Sequence, residues 1–354
     1  MRLAGYGGVS RVLDRECIMT STISRPAPQL GDDQIVRAIC GLRPCRHGGL
    51  RLETEQLGEK RVVHHYGHGG CGVTIAFGTT SLIVPMVESE CDAKEPVGVL
   101  GGGVVGLVTA LSLARRGHPV TIYADKVGTE TTSVIAGAIW LPVGIEFGTS
   151  PTELQRRDEI LHRSFETLKS LDPRRYGIES LDVYEPKGTQ TEEGLFSPGL
   201  IEEPELIDSF PFPCDTPAER RFRTLYIHTP RFLRTLIEDL RSLGVRFVTA
   251  RFGSHTELQS LDESVIVNCT ALGSRTLFGD DAIYPARGVL VHMKPQDLGY
   301  CVHDGYKYMF PREDALILGG CFQPDRDDDR PDDEMIREIL GHHRRFFGSA
   351  CGVG

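Results

Sequence analysis

The sequence lacks the cysteine pattern of a metal site or of a disulfide-bonded secreted domain. Its ten cysteines are scattered over 354 residues, and no two form a Cys-x-x-Cys pair. The nearest two, Cys40 and Cys45, have no partners at zinc-site spacing. We therefore expect no metal, and we expect reduced thiols, as is usual in a cytoplasmic protein.

Long apolar runs and an excess of positive charge are also missing. Residues 1–30 contain no apolar core of a signal peptide, and no apolar run approaches the ~20 residues that would span a membrane. The formal net charge is −10, with 49 acidic and 39 basic residues. This balance argues against a broad surface for nucleic acid or anionic membranes. It still allows a small anionic substrate, because one local arginine can outweigh a diffuse negative field.

The order of the predicted elements indicates an α/β protein. Strand-like and helix-like segments alternate after residue 97, whereas the segments of 284–322 favour an antiparallel sheet. The predictions are a tail (1–33), a strand (60–66), a helix (73–87), a linker (88–96), a strand (97–100), a helix (107–116), a strand (120–123), a helix (150–171), a helix from the cap Thr229 to Leu243, strands at 245–248, 265–269 and 315–318, and a closing helix (332–347).

A glycine-rich loop between a strand and a helix predicts a dinucleotide site. The loop Gly101-Gly102-Gly103-Val104-Val105-Gly106 follows strand 97–100, and Asp125 ends the next strand, 22 residues after Gly103. Gly101 suits the tight turn, Gly103 the close approach of a pyrophosphate, and Gly106 the packing of helix on strand. The helix N-terminus would face the phosphates, and Asp125 would accept a ribose hydroxyl. The spacing alone leaves NAD and FAD open.

The segments around this loop resemble the D-amino acid oxidase family of FAD-dependent oxidoreductases. The similar segments are Tyr123–Lys126 (YADK), Thr131–Ser133 (TTS), Ala136–Pro142 (AGAIWLP), Val265–Ala271 (VIVNCTA), Pro285–Gly288 (PARG), Tyr308–Arg312 (YMFPR) and Leu318–Gly320 (LGG). The resemblance implies noncovalent FAD, held by the glycine loop with Val104 and Val105 and by Asp125, Lys126, Thr131, Thr132, Ser133, Gly137, Ala138, Phe252 and Thr270.

The segments expected at the C-terminal end of that family stand at the front of this chain. Similar pieces occur at Gly41–Arg46 (GLRPCR), Leu50–Glu53 (LRLE) and Tyr66–Thr74 (YGHGGCGVT). We therefore predict a circular permutation. Residues 88–95 can span up to roughly 26 Å, enough to join the two segments. The resulting division is a permuted segment (34–87), a Rossmann-type FAD-binding domain (97–145 with 229–280) and an interleaved substrate domain with a mixed or antiparallel sheet (146–228 with 281–348).

The resemblance also implies a substrate site. Arg43 would bind a substrate carboxylate with its planar fork, Tyr308 would add its hydroxyl, and the Gly70 carbonyl would accept the substrate amine. Tyr306, two residues before Tyr308, is a further candidate for the substrate site. Asp304 stands where the family often has an aromatic lid residue. Gly69, Gly70 and the backbone amides of Val73 and Thr74 would contact the flavin, the amides at a helix N-terminus favouring negative charge on its reduced form.

The function implied is FAD-dependent oxidation of an α-amino acid, D in the family, by hydride transfer to flavin N5 with dioxygen as acceptor. This chemistry requires no His–carboxylate dyad, and the twelve histidines show no ligand spacing. Glycine, sarcosine or another secondary amine are alternative substrates. A second motif, Gly67-x-Gly69-x-x-Gly72, leaves an NADPH-dependent flavin monooxygenase open, although the next strand runs directly into Gly101 and offers no ribose acid. An inactive flavin-binding interaction protein is the remaining alternative.

Overall fold

Two β-sheets carry the fold in the computed structural model, which describes residues 24–92, 94–135, 137–189 and 199–351. The strands are β1 (Ile35–Arg46), β2 (Arg51–Leu57), β3 (Lys60–Tyr66), β4 (Val97–Gly102), β5 (Val120–Val127), β6 (Ala138–Ile139), β7 (Ile178–Pro186), β8 (Glu205–Leu206), β9 (Ala218–Ile227), β10 (Arg246–Thr249), β11 (Val265–Asn268), β12 (Ile283–Met293), β13 (Tyr300–Asp304), β14 (Lys307–Arg312), β15 (Ala315–Leu318) and β16 (Gln323–Pro324).

Helices cover both sheets. They are α1 (Gly72–Glu90), α2 (Val104–Arg115), α3 (Pro151–Ser170), α4 (Pro173–Tyr176), α5 (Thr229–Ser242), α6 (His255–Gln259), α7 (Gly273–Leu277) and α8 (Asp333–Phe347). The predicted α/β class, with a Rossmann-type sheet and a second, largely antiparallel sheet, is confirmed.

The smaller sheet has six strands in the order β10-β5-β4-β11-β3-β2. Neighbouring strands are parallel except for the β2–β3 pair at the edge. The predicted strand at 60–66, which precedes the linker, therefore lies in the same sheet as the predicted strand at 97–100. Because the carboxyl ends of parallel strands meet at one edge, the loops after β3, β4, β5 and β11 gather there. This edge positions the candidate site.

Helix α1 is a buried core helix that contacts α2 and α3. By length and composition it could cross a membrane, so the sequence expectation that no apolar run approaches this length is wrong. Eleven of its 19 residues are buried inside the protein. Gly78 explains the close contact with α3, because a Cβ there would overlap the backbone carbonyl of Ile160.

Among the described residues the larger sheet has ten strands, with the main order β1-β12-β15-β14-β13-β7-β9-β6. All pairs are antiparallel except β13–β7, which agrees with the antiparallel prediction for 284–322. Alternate residues of its strands belong to different cores. Val302 and Met309 pack in the cluster that contains Phe346 and Phe347 of α8, whereas Phe310 belongs to the core shared with the smaller sheet.

Three local predictions require correction. The predicted tail is wrong for residues 24–33, because Leu30 is fully buried and its amide donates to the carbonyl of Cys351 at 2.9 Å; residues 1–23 lie outside the described part. Thr229 does not cap α5: the cap position is His228, and the Thr229 hydroxyl donates to the Val134 carbonyl instead. The predicted linker (88–96) begins too early, because α1 continues to Glu90.

Candidate active site

A cavity of about 1240 Å³ lies where the carboxyl edge of the smaller sheet meets the larger sheet. Small-molecule pockets usually measure about 300–1,000 Å³, so this one has room for a dinucleotide together with a small substrate. The predicted site residues that line it are Arg43, Gly69, Gly70, Val73, Thr74, Gly101, Gly103, Val104, Val105, Asp125, Lys126, Thr131, Thr132, Ser133, Gly137, Ala138, Phe252, Thr270, Tyr306 and Tyr308.

Gly106 is the predicted site residue that is not among the lining residues. It packs instead against the turn, because a Cβ there would overlap the carbonyl oxygen of Gly101. Gly101 itself has a φ of +105°, and a Cβ would lie 2.6 Å from the carbonyl oxygen of Cys269. The loop thus brings the N-terminus of α2 to the cavity wall, which matches the packing role expected for Gly106.

The N-terminus of α2 offers a cradle for phosphate groups. Gly103 occupies the N-cap position, and the amide of Val104 donates to the Ser133 hydroxyl at 3.1 Å. The amides of a first helical turn have no partner within the helix and carry partial positive charge. Together with the Thr132 hydroxyl, they form a donor set that fits the pyrophosphate of FAD, whereas the Thr131 hydroxyl donates to the Gly128 carbonyl at 2.6 Å.

Asp125 and Lys126 lie exposed at the end of β5, at the same edge of the cavity. Behind them the Tyr123 and Phe252 rings meet edge to face, with centroids 5.8 Å apart. Burial and the Glu263 carboxylate raise the pKa of Tyr123 to about 12, so its hydroxyl stays protonated and donates to Glu263 at 3.0 Å. The donor set at the N-terminus of α2 and the carboxylate of Asp125, which would bind the ribose, therefore fit a dinucleotide.

The segment after β5 passes beneath β1 of the larger sheet. A Cβ at Gly41 would lie 3.4 Å from the side chains of Thr132 and Ile135, so only a small residue fits there without displacing them. The contact at Gly137 is closer still, because a Cβ there would overlap the Phe310 ring. The neighbouring Ala136, part of the predicted segment, lies outside the described residues. These contacts fix the position of the hydroxyl-bearing segment Thr131–Ser133 relative to β1 and β14 of the larger sheet.

The second glycine loop opens onto the same cavity at the N-terminus of α1. Behind it, His65 and His68 both bond the hydroxyl of Thr79, at 2.8 and 2.9 Å. Burial lowers the pKa of His68 to about 3 and that of His65 well below its usual value. Both imidazoles are thus neutral parts of a packed polar network.

Arg43 and Tyr308 meet at the opposite end of the cavity. Nη1 of Arg43 donates to the Cys321 carbonyl at 3.1 Å, and its guanidinium lies 5.7 Å from the Phe322 ring centroid. Burial raises the pKa of the Tyr308 phenol, and the neighbouring Arg43 guanidinium opposes part of that shift. The phenol therefore remains a hydrogen-bond donor. Gly70 borders the pair, since a Cβ there would lie 3.6 Å from Cδ of Arg43.

Glycines make room for this pair. A Cβ at Gly288 would lie 2.5 Å from Nη1 of Arg43, and one at Gly319 would overlap the Tyr308 ring. The Tyr308 ring in turn stacks on Phe310, with centroids 4.4 Å apart. Gly288 and Gly319 belong to two of the segments that resemble the family, PARG and LGG. That they make room for Arg43 and Tyr308 depends on strand pairing, which the segments themselves do not show.

Among the lining residues that sequence reasoning missed are Phe322 and His303. Phe322 stacks on the half-exposed Tyr306, with centroids 5.2 Å apart, so an aromatic pair borders the site although Asp304 replaces the usual lid residue. His303 also lines the cavity, although it is otherwise buried. The adjacent Asp304 bonds Thr189 and pairs with His342. Neither Phe322 nor His303 stands in a recognisable sequence motif.

Comparisons with known proteins agree with this geometry. Residues 96–353 match the family model described as FAD dependent oxidoreductase. The chain is 30% identical over 277 residues to a D-amino-acid oxidase of Streptomyces coelicolor, covering 72% of this chain and 79% of that protein. It is also 30% identical over 256 residues to a D-aspartate oxidase of Homo sapiens, covering 69% and 73%.

Solved structures share the fold. The glycine oxidase of Bacillus cereus gives a TM-score of 0.51 at 16% identity, covering 72% of this chain and 78% of that one. The L-proline dehydrogenase of P. horikoshii gives 0.52 at 17% identity, covering 73% and 78%. With the matching family model and a cavity that fits FAD, the chain belongs to the FAD-dependent oxidoreductase family that includes the D-amino-acid oxidases, and it is an FAD-dependent enzyme.

Proposed function

We propose that this enzyme oxidises an α-amino acid of D configuration to the imino acid, with dioxygen as the final acceptor and hydrogen peroxide as a product. The observation that carries the proposal is the meeting of Arg43 and Tyr308 in a cavity that also contains the dinucleotide cradle. A guanidinium beside a protonated phenol suits a carboxylate. Two curated relatives at 30% identity are named for D-amino acids.

Each residue of the site has a distinct task in this proposal. Arg43 holds the substrate carboxylate, and Tyr308 donates a further hydrogen bond to it. The carbonyl of Gly70, next to Arg43, accepts an N–H of the substrate amine. These three contacts fix the α-carbon, and orientation of this kind contributes strongly to rate. FAD, when bound, supplies the acceptor for the hydride that leaves the α-carbon.

The amides of Val73 and Thr74 serve the cofactor side of the same reaction. Both residues lie in the first turn of α1 and line the cavity. Their unpaired backbone N–H groups and the positive end of the helix dipole stabilise negative charge nearby. Both glycine loops thus serve one ligand in this proposal, which disfavours a separate NADPH site at Gly67–Gly72.

Anaerobic reduction of the bound flavin tests the proposal. The holoenzyme is mixed without oxygen with matched D- and L-amino acids, glycine, sarcosine and amines that lack a carboxylate, and the flavin absorbance is followed. Fast bleaching by a D-amino acid, followed by peroxide formation on admission of air, supports the proposal. Preference for glycine or sarcosine selects the secondary-amine alternative. Bleaching by NADPH alone selects the monooxygenase, and no bleaching by any of them selects the inactive protein.

We also propose that residues 34–87 are the family's C-terminal segment in a permuted position. The family model covers only residues 96–353, yet β3 pairs with β11 of the smaller sheet and Arg43 on β1 faces Tyr308. The two ends of the described part of the chain also support the idea, because the Leu30 amide donates to the Cys351 carbonyl. Adjacent ends are the condition under which a permutation preserves a fold.

A further inference from the structure

A row of polar side chains crosses the larger sheet and ends at Tyr308, and its other members have no task in the chemistry above. Arg220 of β9 pairs in register with Glu185 of β7. Glu185 in turn bonds His303 of the parallel neighbour β13, and His303 pairs in register with Tyr308 of β14. Directly opposite residues of paired strands project from the same face. His303 therefore lies beside Tyr308, on the side that faces the cavity.

Glu185 fixes the proton on His303. Nδ1 of His303 lies 2.6 Å from Oε1 of Glu185, and this carboxylate is fully buried and also pairs with Arg220. An ionised carboxylate only accepts hydrogen bonds, so Nδ1 is the nitrogen that donates to Glu185. Nε2 is therefore the ring nitrogen left to exchange a proton with a ligand. Within the ranges the structure describes, no group bonds Nε2, and the imidazole lines the cavity.

We propose that His303 is a catalytic base that takes a proton from the substrate's ammonium group; this inference rests on the proposed amino-acid oxidation. Nε2 forms a bond to the ammonium proton, the N–H bond breaks, and its electron pair stays on the substrate nitrogen. That pair forms the C=N bond as the α-hydrogen leaves with its own electron pair to oxidised FAD. Glu185 is a positioning residue, which orients His303 and balances its charge after proton transfer.

The charges around His303 are compatible with this task. The groups that face it are the Glu185 carboxylate on β7, the Arg220 guanidinium beyond it on β9 and the Tyr308 phenol on β14. The Asp304 carboxylate follows His303 on the same strand, projects to the opposite face and pairs with His342. An imidazolium formed at His303 would thus have one carboxylate in direct contact. The substrate carboxylate on Arg43 and Tyr308 would add a second negative group nearby.

The rate of anaerobic flavin reduction, measured from pH 6 to pH 10, tests the inference in the wild-type holoenzyme. If His303 accepts the proton, kred/Kd should stay high well below the pKa of the substrate amine, where almost no neutral amine exists. Two substrates whose amines differ in pKa should then give the same acid limb. If kred/Kd instead follows the fraction of neutral amine in solution for each substrate, no base acts and the inference is overturned.

The variant His303→Asn assigns the base. Asparagine can keep a donor toward Glu185 while the cavity-facing nitrogen is lost, and general-base catalysis typically contributes about 10²–10⁴-fold. We expect kred/Kd at pH 7 to fall about 100-fold and the deficit to shrink as the pH passes the pKa of the amine. A loss that is equal at every pH, or no loss, would overturn the role of His303.

Two controls separate this role from a structural one. His292→Asn alters another buried histidine of the same sheet that does not line the cavity, and it should leave the pH profile unchanged. Propanoate, which has no amine, should perturb the flavin absorbance of His303→Asn with an unchanged Kd. Failure of the wild type to bleach with any amino acid would refute the proposed function, whereas wild-type bleaching with an unaltered His303→Asn profile would refute only the catalytic base.

Discussion

The variant Arg43→Ala tests the carboxylate site most directly. The Arg43 side chain donates to the Cys321 carbonyl at 3.1 Å and borders Phe322. With substrate bound, the proposal adds two charge-assisted hydrogen bonds, and such bonds contribute about 1.5–3 kcal/mol each. If the two are partly additive, the transition state loses about 3 kcal/mol. At about 1.4 kcal/mol for each factor of ten, kcat/KM should fall at least ~100-fold.

Steady-state kinetics with the best amino-acid substrate measures this loss. FAD content should be normal, because the Gly101–Gly106 loop holds the cofactor at the other end of the cavity. Arg43→Lys should restore little, since an ammonium group cannot reproduce the planar fork. Oxidation of an amine without a carboxylate should be nearly unaffected. Arg46→Ala is a matched control on the same strand: it removes a guanidinium that pairs with Asp280 at 2.9 Å and should leave kcat/KM within a few-fold, roughly, of the wild-type value.

Near-normal turnover of the amino acid by Arg43→Ala would refute the reasoning. Arg43 would then be a structural residue that braces Cys321 and Phe322, and the amino-acid assignment would lose its main support. An equal loss of kcat/KM for the amino acid and for the amine without a carboxylate would also indicate a structural role for Arg43. A contact with a carboxylate cannot affect a substrate that has none.

Three further predictions concern the fold and the cofactor. Gly78→Ala should lower the free energy of unfolding by about 1–3 kcal/mol, since the new Cβ would overlap the Ile160 carbonyl. Thermal melts measure this loss. The control Gly253→Ala should show little change, because a Cβ there meets nothing within 4 Å. Joining residue 351 to residue 24 and opening the chain between 92 and 95 should give a folded, yellow protein, because Leu30 already bonds Cys351; an insoluble, colourless product would contradict the permutation. Acid precipitation should leave the protein white and the supernatant yellow, and a yellow pellet would contradict noncovalent FAD.

The dinucleotide loop could be predicted because its requirements are local. Gly101 needs a positive φ, Gly106 needs space for the turn, and a strand must precede the loop while a helix follows it. All of these conditions lie within about ten consecutive residues and leave a readable pattern. The second glycine loop and the start of α1 were predictable for the same reason, and so was the antiparallel character of 284–322.

Local patterns failed where burial and hydrogen bonding come from distant partners. Residues 24–33 have no periodicity of their own, yet the burial of Leu30 depends on the other end of the chain. Thr229 has the residue type of a helix cap, but the carbonyl of Val134 takes its hydroxyl. In both cases a tertiary contact decides a position whose local preferences are weak.

The sequence by itself determined the α/β class, the cradle for FAD and, through resemblance, Arg43 and Tyr308 as candidates. Only the tertiary structure decided that His303 stands beside Tyr308 with Glu185 behind it, 118 residues away in the chain. The physical reason is strand register. A single residue's shift in pairing would turn each of these side chains to the opposite face of the sheet, and register is set by contacts that no local stretch of sequence contains.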